Sequence, residues 1–395
     1  MSTDEPRRGH WPTLVACFLH FDLSFMLWVL IGALGIFVAE EAHLGPAEKG
    51  LVVATPILSG ALLRFPVGLL ADRIGGKRVG VGLLAFLFLP LSLGWLGGHG
   101  LPSLLLVGAM LGSAGASFAV ALPLASRWYP AQRQGLVMGI AAAGNTGTVI
   151  TNLLAPRLAR MVGWHDVMAL AMIPLLVVLV VFARVAKEDT GRRPRASLGE
   201  LVRHTDLWWF CLFYAVTFGG YVGLGSFTPI LLRDQYGVAP VAAGMLTAVV
   251  AFAGSASRPF GGWLADRMGG SRLLSVLLVL VSVAYALMSR LPALGAMVTS
   301  MGGAMVCLGM GNGAVFQLVP QRFRREIGAA TGVVGAVGGV GGFLLPTLLG
   351  TIKARVGSFG PGFVVLSIVA FSAAIALRML LAAQQPWRRS WREAA

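Results

Sequence analysis

The chain has 395 residues, of which 56% are hydrophobic and only 12% charged, with a mean hydropathy of +0.79. Soluble domains carry about 25% charged residues, so this composition excludes a soluble enzyme, a disordered chain and a disulfide scaffold. The formal charge of +15 would suggest nucleic acid in a soluble protein, but here its placement along the chain assigns it to membrane topology.

After an N-terminal stretch bearing Arg7 and Arg8, an apolar run extends from Trp11 to about Ala39. That is longer than the roughly 7–15 apolar residues of a signal peptide, so it reads as a retained first span. A membrane-crossing helix needs about 20 apolar residues. The sequence predicts twelve, over 11–38, 47–70, 79–97, 101–126, 134–158, 165–185, 206–232, 240–264, 273–291, 293–318, 327–352 and 360–383. Barrel strands are about ten residues long and alternate strictly; these runs are longer and apolar all round. Cys17, Cys211 and Cys307 lie singly inside apolar runs, with neither a disulfide framework nor a CxxC pair. The connections at 73–78, 127–133, 184–203, 267–272 and 322–325, with the two tails, hold twenty-one Lys and Arg; the other side holds seven. Positive charge accumulates on cytoplasmic loops. The expectation is a multi-pass protein of the cytoplasmic (inner) membrane, embedded in the lipid bilayer, with both termini in the cytoplasm. Nucleic acid is not an expected partner.

The connection 186–205 is the longest on that side, polar and Arg-rich. It divides the chain into a first bundle (1–185), a cytoplasmic linker (186–205) and a second bundle (206–395), with six spans in each bundle. The halves repeat: Arg64 to Arg78 reads RFPVGLLADRIGGKR and Arg258 to Arg272 reads RPFGGWLADRMGGSR, nine of fifteen positions being identical at an offset of 194. Parallel six-span repeats are the layout of a secondary transporter, with its substrate site between the halves near the midplane. The segment from Gly68 to Arg78, with its copy from Gly262 to Arg272, resembles the loop motif of the major facilitator superfamily, although Gly76 stands where a basic residue is frequent. The resemblance covers the whole chain. It implies an all-α membrane fold of twelve transmembrane helices in two pseudo-symmetric six-helix bundles. It also implies that Asp72, Arg73, Asp266 and Arg267 act in gating, through contacts between helices.

Arg64 and Arg258 each stand eight residues before the Asp of that motif, about 12 Å into a hydrocarbon core about 30 Å thick. An Arg at that depth costs roughly 2.5–3.5 kcal/mol. Asp22 is the clear intramembrane carboxylate, so pairing leaves one positive charge in surplus. Guanidinium is planar, forked and permanently charged. Two of them at pseudo-equivalent positions suit a small oxyanion held from both halves. Nitrate, formate, bicarbonate and oxalate all meet that description. Asn145, in the run Gly139-Ile-Ala-Ala-Ala-Gly144-Asn145-Thr146-Gly147, adds a side-chain amide that can donate to an anion. Gly139, Gly144 and Gly147, and on span eleven Gly335, Gly338 and Gly339, allow close helix packing and bending.

These two glycine-rich stretches, with Arg64 and Arg258, resemble the nitrate/nitrite porter family. Tyr214 resembles that family's substrate-contacting Tyr on span seven, and Phe118 an aromatic wall residue on span four. The resemblance implies a site in which both Arg bind nitrate or nitrite, aromatic rings sandwich the flat anion, and Asn145 and Tyr214 donate hydrogen bonds. It also implies two coupling classes, proton symport and nitrate–nitrite exchange. Asp22, a carboxyl inside a span, could bind and release a proton if balanced between burial and a nearby Arg; it favours symport. No catalytic motif for an enzyme occurs. The six His show no metal-ligand spacing, so neither cofactor nor metal is expected. A monomer is expected, because the fold needs no partner to close its cavity.

Overall fold

A computed structural model describes residues 9–97, 99–129, 137, 143–188, 198–323 and 327–388. Regular structure among them is helical throughout. Lipid offers the backbone no hydrogen-bonding partners, so each span must satisfy its own N–H and C=O groups. Eleven of the described helices are long and apolar enough to cross a membrane. Span five supplies the twelfth, its described part being a 3₁₀ turn at Ala143–Thr146 followed by helix Gly147–Val162. Most of the stretch predicted before it, including Gly139, lies outside the described residues, as does 189–197 of the linker.

The repeat in sequence is a repeat in structure. Span two is helix Pro46–Ile74 and span eight is helix Pro240–Met268, so both ends correspond at the offset of 194. Each opens with a proline, whose missing N–H costs nothing in a first turn. Each stops at a glycine in the left-handed region, Gly75 with φ 107° and Gly269 with φ 92°, which side chains with a Cβ rarely adopt. Spans three and nine, Gly76–Leu96 and Gly270–Met288, follow directly. Glu188, from the start of the linker, accepts from the backbone N–H groups of Gly76 (2.9 Å) and Lys77 (2.7 Å). It thereby satisfies orphan donors at the N-terminus of span three.

Span one departs from a single rod. Helix Trp11–Trp28 is continued by two short helices, Leu30–Ala33 and Gly35–Glu41. Span four is also broken: helix Leu101–Leu111 passes through a 3₁₀ stretch, Gly112–Ser117, into helix Phe118–Ser126. The reason is contact. A Cβ on Gly115 would lie 2.6 Å from the Trp28 ring, and one on Gly60 of span two would lie 2.6 Å from the Gly112 carbonyl oxygen. The small residues that let these backbones meet also weaken the regular helix. Spans six (Trp164–Val185), seven (Thr205–Tyr236), ten (Leu294–Arg322), eleven (Ile327–Val356) and twelve (Gly360–Ala383) are continuous.

Span two packs on span eleven and span five on span eight, joining the halves. The join is clamped by ion pairs at the end bearing the 42–45 and 237–239 connections. There Lys49 pairs with Asp234 at 2.8 Å and Arg233 with Glu40 at 2.8 Å. A Cβ on Gly50 would come within 2.5 Å of the Pro346 carbonyl oxygen. At the opposite end, Arg127 pairs with Asp72 within the first half (2.8 Å), and Arg322 with Asp206 within the second.

Candidate anion-binding site

The fold carries Arg64 to the interface between the halves and seals it there, only 2% exposed. Its Nε donates to the Gly115 carbonyl on span four (3.1 Å) and its Nη1 to the Gly335 carbonyl on span eleven. The guanidinium carbon lies 5.3 Å from the Trp28 ring centre, 5.3 Å from Phe118 and 5.1 Å from Phe218. Among the described residues no carboxylate pairs with it. Each cation–π contact is worth about 0.5–2 kcal/mol, so three of them with two carbonyl acceptors can offset the roughly 2.5–3.5 kcal/mol cost of a midplane Arg. Charge remains, and so does a donor: Nη2 is buried and has no acceptor.

Arg258 occupies the equivalent position on span eight but is half-buried. Its Nη2 donates to the Tyr214 hydroxyl at 3.4 Å, and its guanidinium carbon lies 5.6 Å from the Phe316 ring centre. The aromatic residues connect the two Arg. Phe118 lies 6.1 Å from Phe316, Phe316 meets Tyr214 edge-on at 4.8 Å, and Tyr214 stacks on Phe218 at 4.9 Å with the planes 4° apart. The result is a box of ring faces with a guanidinium on each side of it, drawn from spans one, two, four, seven, eight and ten.

The glycines of span eleven make this packing possible. A Cβ on Gly338 would run into the Tyr214 ring and one on Gly339 into Ala61 of span two. Gly335 is different: its Cβ would meet Arg64 Nη1 at 3.5 Å, an ordinary contact. On span five, a Cβ on Gly147 would strike the Asp22 carbonyl oxygen. Gly144 belongs to the 3₁₀ turn at Ala143–Thr146, while Gly139 lies outside the described residues. Asn145, in the same turn, is buried, its Oδ1 without a partner. The turn packs on span one and on span eight.

Asp22 is brought to neither Arg. Its Oδ1 accepts from the Thr146 hydroxyl at 2.9 Å, next in sequence to Asn145. His20, two residues earlier, makes a separate contact through Nε2 with the Gly80 carbonyl (3.2 Å) and packs on Phe182. The four residues of the repeated motif lie at the far end of spans two and eight. Asp72 holds Arg127 across to span four, Arg267 lies 4.0 Å over the Trp263 ring, and Arg73 and Asp266 are exposed.

Sequence reasoning missed Trp28, Phe218 and Phe316. For Phe316 the repeat held a signal. The counterpart of Phe118 at the offset of 194 is Asn312, whose buried Oδ1 lacks a partner, and Phe316 is one helical turn beyond it. Past Trp28, toward the ion-paired end, the interface narrows to a cavity of about 20 Å³ lined by Trp28, Thr148, Asn152, Tyr221 and Ser226 among others. That is room for about one water.

Two six-helix halves related by a repeat, with buried cationic groups between them, define a membrane carrier. The model of the Major Facilitator Superfamily matches residues 16–346, and the chain belongs to that superfamily. It is 34% identical over 354 residues to the "Nitrite extrusion protein" of Bacillus subtilis (strain 168), covering 89% of each chain. It is 35% identical to the "Probable nitrate/nitrite transporter NarK2" of Mycobacterium tuberculosis, covering 87% of this chain and 89% of that one. It is 32% identical to the "Probable nitrate/nitrite antiporter NarK1" of Thermus thermophilus, covering 89% of this chain and 87% of that one. In fold it is similar to the crystal structure of a bacterial homologue of the human lysosomal transporter Spinster. The TM-score is 0.72 at 21% identity, with 96% of this chain and 98% of that chain covered.

Proposed function

We propose that this protein carries nitrate, and nitrite, across the cytoplasmic membrane by alternating access, with nitrate taken up together with a proton. The observation that carries the substrate reading is Arg64: a buried cation with ring faces on three sides, no counter-ion among the described residues and one donor nitrogen still without an acceptor. A flat monoanion fits this demand. It supplies one negative charge, its in-plane oxygens accept from both guanidinium groups, and its faces lie against aromatic rings. Arg64, Arg258 and Tyr214 are the proposed donors, with Asn145 alongside, and Phe118 forms part of the wall. Three relatives whose names mention nitrate or nitrite support the choice among small oxyanions.

An empty site leaves two like charges between the halves, which opposes closure around it. A bound anion relieves that repulsion and favours the occluded state, so the substrate itself couples binding to movement. With both termini cytoplasmic, the Lys49–Asp234 end faces outward, and the molecule is closed on that side. An inside-negative potential opposes anion entry by about 2.3 kcal/mol per charge per 100 mV, so uptake needs either a co-transported proton or an anion leaving in exchange. Asp22 is the proposed proton carrier, since it meets a hydroxyl of span five and no Arg. Nitrate–nitrite exchange is the second reading, favoured by the relative named as an antiporter. The protein is taken to act as a monomer in the bilayer.

The test is nitrate uptake into proteoliposomes loaded with nitrite or with buffer, with and without an inward proton gradient. Uptake into nitrite-free vesicles that follows the gradient and fails in Asp22→Asn supports symport. Uptake that requires internal nitrite and ignores Asp22→Asn makes the protein an exchanger. No nitrate flux in either arm from folded protein would sink the substrate assignment.

A further inference from the structure

Far from the anion site, three side chains from three separate elements converge beside the ion-paired end. Glu41 ends the last short helix of span one, His99 lies in the connection between spans three and four, and His165 is in the first turn of span six. Their ligand atoms lie within 4.8 Å of one another. Glu41 Oε1 is 2.9 Å from His165 Nε2 and 3.3 Å from His99 Nδ1. Two ligand atoms each about 2.0–2.1 Å from a tetrahedral metal stand about 3.3–3.4 Å apart, so small side-chain rotations bring the set to coordination distance.

The surroundings fix how these groups present themselves. His165 Nδ1 lies 2.7 Å from the Gly94 carbonyl oxygen. A carbonyl only accepts, so Nδ1 carries the proton and donates. The other ring nitrogen, Nε2, faces the carboxylate oxygen Glu41 Oε1 at 2.9 Å, in line to share a cation with it. That cation is either the ring's own proton, in an imidazolium–carboxylate pair, or a metal ion that displaces it. Gly94 lies in the last turn of span three, whose free carbonyls and negative dipole end favour positive charge nearby. The other carboxylate oxygen, Glu41 Oε2, accepts from the Trp164 indole N–H at 2.7 Å. The ligating carboxylate and one ligating imidazole are thus each oriented by an outer hydrogen bond, the arrangement metal sites use to fix tautomer and direction.

We propose that Glu41, His99 and His165 form a binding site for a divalent transition-metal ion. Two imidazoles and one carboxylate suit Zn²⁺. His99 is 73% exposed at its side chain, leaving the fourth position to water. The bound ion would tie span one, the connection between spans three and four, and span six into one rim. That rim adjoins Glu40, which reaches across to Arg233 of the second half. Sequence spacing gives no hint of the site because its ligands are far apart along the chain and meet only in the folded bundle.

The experiment uses full-length protein purified in detergent on a histidine-free tag. Zn²⁺ is titrated against a chromophoric chelator, and Co²⁺ is added separately to read coordination from its visible spectrum. The expected result is one Zn²⁺ per chain and four-coordinate Co²⁺ bands. His165→Ala or His99→Ala should weaken binding by more than 100-fold. Trp164→Phe, which removes only the outer donor to Glu41, should weaken it by about 10- to 100-fold. Zn²⁺ should raise the thermal unfolding temperature of the wild type and not of His99→Ala. Equal zinc affinity and stoichiometry in the wild type and the folded double variant His99→Ala/His165→Ala would overturn the proposal. So would the absence of stoichiometric binding to folded wild type.

Discussion

Arg64 and Arg258 stand at the same register of spans two and eight, yet Arg64 is sealed among three aromatic rings while Arg258 remains half-buried beside Tyr214. Pseudo-symmetry supplied two cations, and unequal neighbours gave them unequal access. Under the proposed function, this difference assigns first contact with an incoming anion to Arg258 and completion of the site to Arg64.

This division predicts that neither Arg tolerates lysine. Lysine keeps the charge but loses the planar fork, and at Arg64 it also gives up the simultaneous contacts to Gly115 and Gly335. Truncating one member of a buried, hydrogen-bonded charge pair costs about 2–5 kcal/mol, or about 30-fold or more. Nitrate counterflow by Arg64→Lys and by Arg258→Lys should fall by at least that factor at unchanged protein level. Wild-type counterflow in either variant would remove that residue from the site.

Phe316 touches Arg258, Tyr214 and Phe118. Phe316→Ala removes one cation–π contact, worth about 0.5–2 kcal/mol, and part of the wall. The apparent KM for nitrate should rise by about 3- to 30-fold, with the larger part of the change in KM. A variant that loses maximal rate alone would place Phe316 in the movement and not in the site.

The span-eleven glycines should differ from one another on replacement by alanine. At Gly338 and Gly339 the added methyl collides with Tyr214 and Ala61, whereas at Gly335 it makes an ordinary contact. Overpacking costs about 1–3 kcal/mol. Gly338→Ala and Gly339→Ala should lower thermal stability in detergent and abolish counterflow, while Gly335→Ala should remain stable. Equal stability in all three variants would contradict the packing described.

Lys49 and Asp234 are both less than one-fifth exposed at their side chains and clamp one end of the interface. Asp234→Asn should shift the population toward opening at that end. A loss of about 1 kcal/mol corresponds to about a fivefold change in the ratio of the two states. Spin labels at Ala47→Cys and Gln235→Cys would report it as a growing long-distance fraction. Adding Lys49→Asp to Asp234→Lys should restore the short distance; failure of the swap would show that the pair does not hold the gate.

The motif at 64–78 and its copy made the two repeated halves and both intramembrane Arg readable without coordinates, because lipid penalises every isolated charge and every unpaired backbone group. Asn145 was singled out by its glycine-rich setting and Tyr214 by the resemblance to the porter family. Trp28 and Phe218 were not, since one more aromatic in an apolar span looks like any packing residue. The partner of Asp22 was hidden for a related reason: the Thr146 hydroxyl answers it from 124 residues away.

The sequence by itself determined that the chain spans a membrane as two repeated halves carrying a surplus of buried positive charge, since hydropathy, loop charge and internal repeats are properties of the chain taken in order. Only the tertiary structure decided which rings face Arg64, which end of the halves is clamped, and that Glu41, His99 and His165 meet. Those relations depend on how closely helices approach, and glycine-to-ring and glycine-to-backbone contacts between segments far apart in sequence set that distance.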